Sequence, residues 1–156
     1  MRRKITQIAI AVTFFALPCG GALADPWVAV DASPNSIMFL NNGAIRDIDA
    51  NTKDVEILIG VRRDVPLLMM SKFQVRCRDN AIGEYSRAIV DGRGNIGPSQ
   101  SINLQFMSAS SGTMGYNLLY LACAGIQAGN VNGIRRPTLG GAIDFAKNYL
   151  GARASK

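Results

Sequence analysis

Apolar residues fall into short blocks along this chain, and the spacing within each block separates strands from helices. Residues 27–30 and 36–40 are near-continuous apolar runs parted by Asp31-Ala32-Ser33-Pro34-Asn35, a turn-forming stretch, which predicts two strands. Residues 44–48 follow the turn signal Asn41-Asn42-Gly43 and predict a third. A polar hairpin over residues 49–54 then leads into the β-branched run 55–61. Over residues 72–78 the period is two, with Phe73, Val75 and Cys77 alternating with Lys72, Gln74, Arg76 and Arg78, as in a strand with one dry and one wet face. Cys77 therefore points inward. Residues 84–90 predict a further strand, ended by Asp91-Gly92-Arg93-Gly94-Asn95 and Gly97-Pro98.

Beyond a Ser-rich loop the pattern becomes helical. Thr113 is placed to cap a helix over residues 114–124, made strongly apolar by Leu118, Leu119, Leu121 and Ala122, with Cys123 at its end. Residues 125–137 read as loop, and residues 139–150 as an amphipathic helix with Ile143, Ala146, Tyr149 and Leu150 on one side. These elements predict an α+β fold, an antiparallel sheet with a C-terminal helix packed on one face and a second short helix after it.

The chain start has another pattern. Arg2, Arg3 and Lys4 precede an apolar run over residues 5–17, and Ala22-Leu23-Ala24 is a small-x-small cleavage signal. The run is shorter than the ~20 residues that cross a bilayer, so a signal peptide is expected, and no transmembrane anchor in the mature form. Pro18 directly before Cys19 fits a lipid-attachment site poorly. The expected organisation is a signal peptide (1–24), a domain (25–124) and a C-terminal extension (125–156).

Composition narrows the chemistry. Cleavage after Ala24 removes three of 17 basic residues and none of 11 acidic ones, lowering the formal charge from +6 to +3. With Lys and Arg interspersed among Asp and Glu, nucleic acid is not an expected partner. Cys77 and Cys123 remain, and two thiols in an exported chain predict one disulfide, which would clamp the helix against the sheet. The chain has no His, which removes the usual general base, the Ser-His-Asp arrangement and the commonest zinc ligand together. Asp47-x-Asp49-x-Asn51 resembles the start of a calcium loop, but Thr52 stands where Gly is needed and Leu58 where Glu belongs, so a solvated hairpin is expected. No metal, cofactor or catalytic residue is expected. The competing enzymatic reading is a small hydrolase using carboxylates, with Asp47 and Glu56 as its candidates. The candidate protein-binding patch is basic: Arg62 and Arg63, Lys72, Arg76 and Arg78, and Arg87 on the next strand. Its alternative reading is a solubilising sheet face.

The order of these features resembles the bacterial surface-adhesin protein E family. The likeness runs from Trp27-Val28 through Ser36-Ile37, Ala44-Ile45-Arg46, Val55-Glu56-Ile57-Leu58 and Phe73-Gln74-Val75-Arg76-Cys77 to Tyr85 and Cys123. It implies a sheet of about six strands with the disulfide-tied helix on its concave side. It also implies a non-enzymatic adhesin-like role at the surface or in the periplasm of a Gram-negative bacterium, or secreted, with host matrix or serum proteins such as vitronectin and laminin as partners, and a capacity to form homodimers. The alternative is an envelope-associated structural protein that meets a bacterial partner.

Overall fold

The apolar blocks pair into one antiparallel sheet. The computed structural model describes residues 27–91, 93–125 and 134–151. The predicted signal peptide, Cys19 and residues 126–133 of the predicted loop lie outside the described residues. The strands are β1 (Trp27–Ser33), β2 (Ser36–Asn41), β3 (Arg46–Asp47), β4 (Thr52–Val61), β5 (Leu67–Arg76), β6 (Ala81–Val90), β7 (Gln100–Ser101), β8 (Met107–Ser108) and β9 (Arg135–Arg136), with helices α1 (Met114–Ala124) and α2 (Leu139–Gly151). Sheet order is β7-β6-β5-β4-β2-β1-β9, with β3 on β4 and β8 on β6.

Among the described residues nine strands replace the expected six or so. The surplus is in β7, β8 and β9, each two residues long and too short to carry any periodicity, while the strand predicted over residues 44–48 shortens to β3. β9 falls in the stretch read as loop. β5 also starts at Leu67, ahead of the predicted residue 72, because Leu67-Leu68-Met69-Met70 is apolar on both faces and shows no alternation.

The two helices cover opposite faces of the sheet. On one side, Leu118, Leu119, Leu121 and Ala122 of α1 pack on Val30, Met38, Leu40, Val55, Ile57 and Val75. On the other, Ala142, Ile143, Ala146 and Leu150 of α2 pack on Phe39, Leu58, Leu68 and Met70, among others. With both faces covered, residues 27–30 of β1 and 37–40 of β2 are all buried, which is why these strands read as runs and not as alternations. A Cβ on Gly60 would lie 2.9 Å from Leu150 Cδ1, so the missing side chain there lets α2 approach β4.

Local chemistry fixes the helix ends. Thr113 Oγ1 accepts from the Tyr116 N–H (3.2 Å) at the predicted cap, and Thr138 Oγ1 accepts from the Gly141 N–H (3.1 Å) at the start of α2. Cys77, directly after β5, bonds to Cys123 of α1 across a Cα separation of 5.7 Å. The disulfide thus ties α1 to the face predicted by the alternation of residues 72–78. Among the described residues no helix is long and apolar enough to cross a membrane.

Candidate functional site

The predicted basic residues are dispersed by the fold. Arg62 and Arg63 follow β4 at one end of the sheet, and Arg78 follows β5 at the other. Ten-residue strands at ~3.3 Å per residue put those ends about 30 Å apart. Arg87 pairs in register with Ser71 and so shares the α1 face, whereas Lys72 and Arg76 share the α2 face with Met70. Arg87 donates from Nε to Glu84 Oε1 (2.8 Å) and closes an ion pair with it, and the Arg76 guanidinium lies 3.7 Å above the Phe106 ring. No single basic patch forms from these six residues, because position two apart along one strand does not set which face the neighbouring strands present.

The acidic candidates also separate. Asp47 pairs in register with Lys53 and bonds its Nζ at 2.7 Å, while Glu56 projects from the opposite face of β4. Asp49 Oδ1 accepts from the Asn51 and Thr52 N–H groups, each at 2.7 Å. Those donors, Asn51 first, hold the Asp49 carboxyl below its usual range. The segment is a side-chain-locked turn. Among the described residues no cluster of three or more His, Cys, Asp or Glu is placed to hold a metal ion.

What the register does assemble is a polar groove on the α2 face, beyond the rows that α2 covers. Along β4, Asp54 and Glu56 share this face with Leu58. Lys72 stands opposite Glu56 and next to Ser86, and Arg46 of β3 stands opposite Asp54. Tyr85 is the extra residue of a bulge in β6, where the pairing of Lys72 with Ser86 jumps to Phe73 with Glu84. The bulge aims the Tyr85 hydroxyl at Asp54 Oδ1, to which it donates at 2.7 Å. Burial first, and this bond second, push the phenol up to about 12, so it remains a neutral donor. Asn41 Nδ2 donates to Glu56 Oε1 at 3.0 Å.

Two adjoining cavities form the groove, one of about 80 Å³ bounded by Arg46, Asp54, Glu56 and Lys72, the other of about 210 Å³ bounded by Glu56, Lys72, Ser86, Ala88, Ile96 and Ser99. Both cations are exposed. Among the described residues neither closes an ion pair with the carboxylate it faces. Elsewhere on β6 the segment between β7 and β8 lies so close that a Cβ on Gly83 would be 2.9 Å from the Gln105 carbonyl oxygen. Two larger cavities, of about 430 and 400 Å³, are lined mainly by apolar side chains such as Met69 and Ile89, or Val65 and Leu68. They lack a comparable convergence of polar groups. Of the groove residues only Lys72 was singled out for binding from the sequence. The rest needed the strand register, and Tyr85 needed the bulge.

The fold is similar to that of a solved structure. It is crystal form II of Haemophilus influenzae protein E, similar with a TM-score of 0.51 at 11% sequence identity, over 69% of this chain and 94% of that one. The fold is protein E-like. No family model matches the chain, and no curated protein does.

Proposed function

We propose that this chain is an exported, non-enzymatic binding module of adhesin-like type, which takes a host matrix or serum protein on the groove face of its sheet. The observation that carries this reading is the pair of solvent-facing cations, Lys72 and Arg46, set among two carboxylates on a protein E-like fold. The carboxylates already accept hydrogen bonds from Tyr85 and Asn41. Such fixed charges suit recognition better than proton transfer, and the chain has no His to serve as a base. The signal-peptide pattern and the Cys77–Cys123 bond support export to an oxidising compartment, periplasm or cell surface. Solid-phase binding to a panel of matrix and serum proteins tests the proposal. Saturable, salt-sensitive binding to at least one, weakened by Lys72→Glu, is expected, and a silent panel overturns it.

A second reading, an envelope-associated protein with a bacterial partner, is favoured by one feature. β9 pairs with β1 only at Trp27 and Val28, which leaves residues 31–33 at an uncovered sheet edge among the described residues. Crosslinking in the native periplasm through residue 32 should then recover one bacterial protein reproducibly. Recovery of none removes this reading.

A further inference from the structure

We infer that the groove around Glu56 and Lys72 is a subsite for an acidic sugar, a hexuronate unit of a polysaccharide or of a glycan carried by the partner. This rests on the groove being the binding surface, and it names the chemistry the groove selects. Four features converge on that class.

Lys72 and Arg46 offer two cations that the protein leaves unpaired with their facing carboxylates, the complement of a ligand carboxylate. Asp54 and Glu56 each have lone pairs beyond the one used by Tyr85 or Asn41, the complement of ligand hydroxyls. A phosphate, which concentrates its negative charge and brings one or two O–H donors at most at neutral pH, meets repulsion from both acids. A uronate brings one negative charge and several neutral O–H donors, so it satisfies cations and acids at once. Ala88 and Ile96, with Met70 beneath, add a small apolar wall for the C–H face of a ring, beside the hydroxyls of Ser86 and Ser99. The joint volume falls just under the ~300 Å³ at which small-molecule sites begin, room for one ring. An acidic peptide would satisfy the cations, but it carries few donors for Asp54 and Glu56.

Isothermal titration calorimetry of the purified protein with trigalacturonate, neutral galactotriose, inorganic phosphate and a tetraglutamate peptide decides the matter. Trigalacturonate is expected to bind at least about tenfold more tightly than the other three. Lys72→Gln and Glu56→Gln should each weaken it by about tenfold, and Lys72 is exposed, so its variant leaves the packing intact. In the unmodified protein, amide shifts on titration should centre on residues 72 and 86. Equal affinity for galactotriose, tighter binding of phosphate or tetraglutamate, or indifference to both substitutions overturns the inference. Binding to matrix proteins that survives their enzymatic deglycosylation, with trigalacturonate inert, removes this inference alone. Loss of all binding removes the adhesin-like reading with it.

Discussion

Tyr85 shows how one inserted residue changes what a strand presents. The bulge turns its side chain onto the groove face, where the hydroxyl meets Asp54 at 2.7 Å. Its ionisation is raised from the usual 10 to about 12, chiefly by burial. A raised value in the fold means a contribution fully present below about pH 10 and lost as pH rises through about 12. Urea unfolding of the native protein should therefore show a fall in stability between pH 10 and 12 that is missing in Tyr85→Phe, which at neutral pH is about 1 kcal/mol weaker. Parallel curves for the two proteins over that interval would show that the bond to Asp54 does not hold the phenol. At Cys77 the matter is connectivity. The bond to Cys123 spans a sequence separation of 46, and on the chain-entropy account the Cys77→Ala/Cys123→Ala double variant should lose about 4 kcal/mol in the same assay. Cys77 was legible in the sequence because its neighbours alternate without interruption. Tyr85 was not, since Glu84-Tyr85-Ser86 contains no glycine or other mark of a bulge.

At the scale of elements, the helices follow from local pattern and the sheet edges do not. α1 begins at the residue after the predicted Thr113 cap and ends at Ala124, and α2 covers the predicted amphipathic stretch. Caps and 3.6-residue periodicity are local, so a single sequence displays them. The face each helix covers depends on long-range packing, and the placement of α2 opposite α1 could not be read from its own residues. The segment between β7 and β8 is likewise silent in sequence, yet it lies directly on β6 at Gly83. Gly83→Ala sets a methyl 2.9 Å from the Gln105 carbonyl oxygen, and backbone there must move. A cost of about 1–3 kcal/mol is expected, together with faster amide exchange at residues 102–106. Unchanged exchange in that segment would mean the chain does not rest on β6. Leu150→Ala should cost about 2–5 kcal/mol, because Leu150 is fully buried between α2 and the sheet.

For the whole molecule, charge placement matters more than net charge. The predicted six-residue basic patch fails as a unit since its members occupy both ends and both faces of the sheet. A cluster of mixed sign takes its place on the half of one face that α2 leaves open. Mixed charge at fixed spacing gives selectivity, whereas a uniform basic surface would attract any polyanion. The measurement that bears most directly on this account is amide hydrogen exchange of the protein alone and saturated with the matrix or serum protein that it captures. Slowed exchange confined to residues 44–56, 70–74 and 84–88 is the predicted result. Slowing confined to the outer surface of α1 or to the β1 edge, with those segments unchanged, would contradict it.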